Sequence, residues 1–129
     1  MRIEHVALWV ADLERMKDFY TRAFRGSASE RYRNPHSGFQ SYFIYYDSGA
    51  RLELMQLDGI PPNANDVQRQ ARGLIHLAFS AGSARAVEEL TEQLCAAGSP
   101  LLSGPRLTGD GYYESVVLDP EGNRIEITI

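Results

Sequence analysis

Four side chains of the kind that hold metal ions stand inside otherwise apolar segments: His5 in EHVALWV, Glu53 in RLELMQL, His76 in IHLAFSA and Glu126 in RIEITI. Two imidazoles and two carboxylates make an N2O2 donor set for one borderline divalent ion, Zn²⁺ or Ni²⁺ first, with Co²⁺, Mn²⁺ or Fe²⁺ also accepted. Two converging carboxylates without a cation would repel one another and push one toward its protonated form. A metal removes that conflict. Any one of these residues alone reads as the solvent-facing position of an amphipathic strand. Their spacing argues for more: from 5 to 76 is 71 residues and from 53 to 126 is 73, so a histidine and a glutamate landmark recur nearly in step.

Strand periodicity supports the same reading, because successive side chains on a strand point to opposite faces. Leu52 and Leu54 share one face while Arg51, Glu53 and Met55 share the other. Ile125, Ile127 and Ile129 alternate against Glu126, Ile75, Leu77 and Phe79 against His76, and Val6, Leu8 and Val10 against His5, Ala7 and Trp9. Each strand can lay an aliphatic row on a helix and turn one ligand-type group to the other side.

The elements that must position these groups recur too. Residues 2–10 read as a strand, followed by an N-cap at Asp12 and an apolar stripe of Leu13, Met16, Tyr20, Ala23 and Phe24 that Gly26 should stop. SASERYRNPHSG reads as loop, with His36 in it as a surface or substrate-facing residue. Strands are expected at 39–46 and 50–57, joined by Asp47-Ser48-Gly49. The segment 58–73, broken by Pro61 and Pro62, is the expected linker, with a short helix over 64–71. The pattern then restarts: a strand at 74–80, a cap at Ser83, and a helical stripe of Ala84, Val87, Leu90, Leu94 and Ala97 ending at Gly98. A short extended piece near 101–103 precedes strands at 112–118 and 124–129, joined by Asp119-Pro120-Glu121-Gly122-Asn123. Halves that repeat their order of elements read as a duplicated unit. The expected architecture is α+β: two tandem βαβββ modules, about 1–57 and 74–129, forming a curved mixed sheet around a metal-binding cavity in one domain over 1–129.

Composition narrows the function classes. The chain has 129 residues, 43% hydrophobic and 23% charged, enough for one compact domain. A net charge of −4 without blocks of like charge argues against nucleic-acid and anionic-membrane partners. No apolar run approaches a bilayer span, and signal peptide and membrane anchor are not expected. Cys95, the single cysteine, rules out an internal disulfide framework, and a cytoplasmic location is expected.

At these residues the sequence resembles the vicinal oxygen chelate superfamily, which includes glyoxalase I, extradiol dioxygenases, thiol transferases, an epimerase and bleomycin-resistance proteins. The resemblance spans the chain and is clearest in IEHVALWVADLERMKDFY, ARLELM, GLIHLAF and LDPEGNRIEI. The His-Glu-His-Glu set is similar to that of bacterial glyoxalase I, a lactoylglutathione lyase, and Glu53 is the discriminating member. Extradiol dioxygenases lack a ligand there and the epimerase pattern usually has Gln. The resemblance implies a lyase or isomerase acting on a 2-oxoaldehyde or its thiol adduct through an enediolate stabilised by the metal. It assigns the proton-transfer base to Glu126, with Glu53 as pseudo-symmetric partner. It also implies a homodimer in which His5 and Glu53 of one chain face His76 and Glu126 of the other, while pairing of the two halves within one chain is the alternative. The Arg and Asn that help hold glutathione in that branch correspond here to the apolar Trp9 and Leu57, so a glutathione adduct would need other anchors, with Arg33, Arg51, Arg69 and Arg72 as candidates. Trp9, Met55, Tyr112 and Tyr113 are the expected substrate contacts, with Phe39 and Tyr42 as further apolar lining. A dioxygenase or epimerase of the same fold, or a non-catalytic binding or resistance protein, are the alternative functions.

Overall fold

The computed structural model describes residues 1–64 and 66–129. The chain separates into two compact units, Met1–Asn63 and Ala64–Ile129, dividing within the proline-containing 58–73 segment. The first unit holds β1 (His5–Trp9), α1 (Leu13–Ala23), β2 (Ser27–Ala28), β3 (Tyr32–Arg33), β4 (Gln40–Tyr45) and β5 (Arg51–Gln56). The second holds β6 (His76–Ser80), α2 (Ala84–Ala96), β7 (Leu101–Leu107), β8 (Tyr113–Leu118) and β9 (Arg124–Thr128). The α+β class is as expected, but each unit has its own sheet. In the first, the order is β1-β5-β4-β2 with β3 also on β4; in the second it is β6-β9-β8-β7.

In both units the first strand runs parallel to the last, and the last pairs antiparallel with the one before it. The intervening helix makes that parallel return possible and covers one sheet face. In the first unit Met16 and Tyr20 of α1 are fully buried with Ile44, Leu52 and Leu54. In the second, Val87 and Leu94 of α2 are buried with Val117, Ile125 and Ile127.

Helix boundaries follow their caps. The Asp12 carboxylate accepts from the Arg15 N–H at 3.0 Å, and the Ser83 hydroxyl from the Ala86 N–H at 3.2 Å. Helix α2 stops as expected: the Gly98 N–H reaches the Cys95 carbonyl and the Ser99 N–H the Leu94 carbonyl, with Gly98 at φ 98. At the end of α1 the expectation is corrected. Arg25, at φ 54, takes the left-handed position, and Gly26 serves a different need. A Cβ on Gly26 would lie 2.6 Å from the Ile44 Cγ2 atom.

Two other expectations are corrected. The segment read as loop contains β2 and β3, each two residues long and defined by pairing with β4 rather than by its own pattern. The helix expected over 64–71 does not form among the described residues, and Asn65 lies outside them.

The core of the second unit includes a buried polar contact. Thr91 on α2 donates to the Val87 carbonyl at 2.6 Å, so the buried Ser115 hydroxyl on β8, 2.6 Å away, must donate to Thr91. Thr91→Val should destabilise by about 1–3 kcal/mol, because it strands a buried hydroxyl. The double variant Thr91→Val/Ser115→Ala should recover part of that loss in urea unfolding. A double variant no more stable than Thr91→Val would disprove the coupling.

Candidate functional site

The parallel pair β1 and β5 sets His5 opposite Arg51, Ala7 opposite Glu53 and Trp9 opposite Met55. Directly opposed residues share a face, so His5 and Glu53 lie on the side of the sheet away from the helix-covered Leu52 and Leu54. His5 Nε2 is 3.8 Å from Glu53 Oε2.

The second unit repeats the arrangement at the same register. His76 lies opposite Arg124 and Ala78 opposite Glu126, and His76 Nε2 is 3.6 Å from Glu126 Oε2. The turn before β9 fixes this register. Asp119 Oδ1 accepts from the backbone N–H groups of Glu121 and Asn123 at 2.9 and 2.8 Å, and Asp119 Oδ2 from the Asn123 side-chain amide at 2.8 Å. With the turn closed, Glu126 falls opposite Val116 of β8.

Each pair presents an open imidazole and a shielded carboxylate: the side chains are 41% and 15% exposed for His5 and Glu53, and 38% and 18% for His76 and Glu126. Both nitrogen–oxygen separations exceed a normal hydrogen bond. They approach the roughly 3–3.5 Å between two ligands of one ion with bonds of about 2.0–2.2 Å. On the first-strand side the residue opposite each glutamate is a small alanine, Ala7 or Ala78, and on the other side stand Phe43 and Val116. The donor types and spacing therefore fit a divalent ion. Among the described residues neither unit by itself groups three or more His, Cys, Asp or Glu side chains able to hold a metal, so each offers two donors.

The other expected site residues divide. Trp9 and Met55 share the face that carries Glu53, and Trp9 packs edge-on against Phe39, whose ring centroid is 6.0 Å away. Tyr32 extends the cluster at 6.2 Å from Phe39. Tyr42 and Tyr113 lie on the faces opposite Glu53 and Glu126. Tyr42 is buried and donates to the Glu14 carboxylate on α1 at 2.8 Å, and Tyr113 donates to Glu88 on α2 at 2.7 Å. The strand parity that puts Val116 beside Glu126 turns Tyr113 the other way. Tyr112 is exposed just before β8, and His36, Arg33, Arg69 and Arg72 are exposed as well.

One residue near the site is not visible in the sequence pattern. Glu4, immediately before β1, places Oε2 2.5 Å from His5 Nδ1 and pairs through Oε1 with Arg51 Nη2. The hydrogen bond from His5, followed by Arg51, holds the Glu4 carboxyl below the usual range. Arg51 is itself committed, its guanidinium carbon 4.1 Å from the centroid of the Phe43 ring. It is therefore a poor anchor for a glutathione carboxylate. The signal that could have revealed Glu4 was its neighbour: a carboxylate adjoining a histidine read as a ligand.

The family model described as Glyoxalase/Bleomycin resistance protein/Dioxygenase superfamily matches residues 2–127. The uncharacterized protein YqjT of Bacillus subtilis (strain 168) is 29% identical over 129 residues, covering 97% of this chain and 96% of that protein. Among solved structures, the trypanothione-dependent glyoxalase I of Leishmania major has a TM-score of 0.76 at 23% identity, covering 99% of this chain and 86% of that one. A glyoxylase/bleomycin resistance protein/dioxygenase domain from Frankia sp. EAN1pec has a TM-score of 0.81 at 23% identity, covering 100% of this chain and 97% of that one. These structural likenesses are of fold. The match over 2–127, together with the twice-repeated strand and helix order, places the chain in the Glyoxalase/Bleomycin resistance protein/Dioxygenase superfamily.

Proposed function

We propose that the chain is a metal-dependent, glyoxalase I-like lyase or isomerase acting on a 2-oxoaldehyde or its thiol adduct. In this reading His5, Glu53, His76 and Glu126 hold one divalent ion per site, Zn²⁺ or Ni²⁺ first. The observation that carries it is the recurrence of one His–Glu pair, at one parallel register and nearly one separation, in both units. A strand face evolving only for solvent exposure has no reason to keep that pairing twice. Four ligands are the usual complement for zinc, so the reading requires one pair of each kind. A cytoplasmic homodimer, in which one protomer's His5 and Glu53 meet its partner's His76 and Glu126, supplies them, as does union of both pairs within one chain.

A bound divalent ion supplies Lewis-acid stabilisation of negative charge developing on adjacent substrate oxygens. The protein's own part is proton movement and orientation. Glu126 takes the proton from the carbon beside the carbonyl and returns it to the neighbouring carbon, a transfer between two sites that one carboxylate can serve. Glu53 mirrors it. Trp9, Met55 and Phe39 offer an apolar contact for the substrate, and Trp9 and Leu57 stand where a glutathione-specific relative would be polar.

The test is elemental analysis of the purified full chain, followed by a methylglyoxal assay with glutathione, cysteine and coenzyme A as alternative thiols. Stoichiometric Zn²⁺ or Ni²⁺, lost in His5→Ala/His76→Ala, and turnover with one of these thiols are expected. No stoichiometric metal, or metal retained in the double variant, would overturn the site. Metal without turnover would overturn the glyoxalase chemistry and leave a dioxygenase, an epimerase or a binding protein.

A further inference from the structure

We infer that Glu4 is a positioning residue for His5: its carboxylate fixes the Nδ1–H form of the imidazole and aims the Nε2 lone pair at the ion. The inference rests on the proposal that His5 is a ligand. An ionised carboxylate only accepts hydrogen bonds. The 2.5 Å contact between Glu4 Oε2 and His5 Nδ1 therefore requires the proton on Nδ1, and in the neutral ring the lone pair is left on Nε2. Nε2 is the atom that faces Glu53. A ligating histidine whose other nitrogen donates to a carboxylate is held in tautomer and orientation and made a stronger base.

Glu4 is built into this role by its own restraints. Its second oxygen pairs with Arg51, and its backbone carbonyl accepts from the Arg51 N–H at 3.0 Å. Arg51 lies directly opposite His5 in the parallel register and is stacked on Phe43. The Phe43 ring also meets the His5 ring edge-on, with centroids 5.6 Å apart. Ligand, carboxylate, guanidinium and aromatic ring thus form one closed cluster.

The second unit lacks the device although it keeps the arginine. Ile75 stands before His76 where Glu4 stands before His5, and Arg124, opposite His76, donates instead to the Val67 carbonyl at 2.7 Å. The two half-sets are therefore inequivalent: the first is preset for metal, and in the second Ile75 takes the place of the Glu4 carboxylate.

The experiment uses the full chain stripped of metal, Zn²⁺ titrated against a chromophoric chelator, and nitrogen-15 NMR of the histidine rings. Wild type is compared with Glu4→Gln, Glu4→Ala and the charge-matched Glu92→Gln on the exposed face of α2. Glu4→Ala should weaken Zn²⁺ binding by about 10-fold or more, within the range found for such supporting carboxylates. Its His5 ring in the metal-free protein should shift toward the Nε2–H form. Glu4→Gln should lie between, and Glu92→Gln should match wild type. Zn²⁺ affinity and His5 tautomer unchanged in both Glu4 variants would overturn the inference while the metal site stands. Absence of Zn²⁺ binding by wild type would overturn the metal site and this inference with it.

Discussion

Glu126→Gln is expected to lower kcat/KM for methylglyoxal, with whichever thiol supports turnover, by about 10²–10⁴-fold, the usual contribution of a positioned proton-transfer group. Glutamine has nearly the same shape and retains an oxygen donor, so it can still occupy the place opposite Ala78 beside His76. What it cannot do is carry a proton between two carbons. Glu53→Gln provides the internal comparison, since its register and its distance to His5 nearly copy those of Glu126. A larger loss in Glu126→Gln than in Glu53→Gln assigns the base to the second unit, and the reverse order assigns it to the first. Both variants turning over at the wild-type rate would remove the carboxylates from proton transfer altogether.

The largest effect on stability is expected at Gly104. This residue lies in β7, where pairing with β8 shifts register between Ser103 and Arg106, and its φ is +81. A Cβ there would come 2.4 Å from the Glu114 carbonyl oxygen and 2.9 Å from the Ser115 Cα. Both are backbone atoms of a central strand, paired on its other side with the strand bearing Glu126, so neither can move aside cheaply. The left-handed backbone and the clash together should cost Gly104→Ala roughly 3 kcal/mol or more. Gly109→Ala is the control, because nothing lies within 4 Å of a Cβ at that position and its φ is not positive. Equal urea midpoints for the two variants would refute the argument.

Much of the fold was legible in the sequence because period-two alternation is a strong signal when one face is fully apolar. Leu52 and Leu54 around Glu53, and Ile125 and Ile127 around Glu126, mark both strands and both faces by residue type alone. The capped helices were legible for the same kind of reason: Asp12 and Ser83 precede apolar stripes at helical spacing. What escaped detection depended on partners distant in sequence. Two-residue strands such as β2 and β3 carry no pattern, and only β4 defines them. Tyr113 suggested a phenol near a pocket and Tyr42 part of its apolar lining, yet each is one position out of phase with the face that carries Glu53 or Glu126. Glu4 was missed because adjacent residues in a strand point apart. It lies just before β1, where the chain is free of that constraint and Arg51 can draw its carboxylate back onto His5.

The parallel pairing within each unit has a consequence for the order in which the protein can come together. His5 and Glu53 are 48 residues apart, and His76 and Glu126 are 50, because each pair joins the first and last strands of its unit. No hairpin or single helix–strand fragment contains both donors. Closing so long a loop precedes any reward from the contact, which makes such pairings late and slow events in folding. A nascent or half-folded chain can thus present only isolated imidazoles and carboxylates, weak traps for any ion. On the metal-site reading, a His–Glu pair able to chelate exists only once its own module has closed.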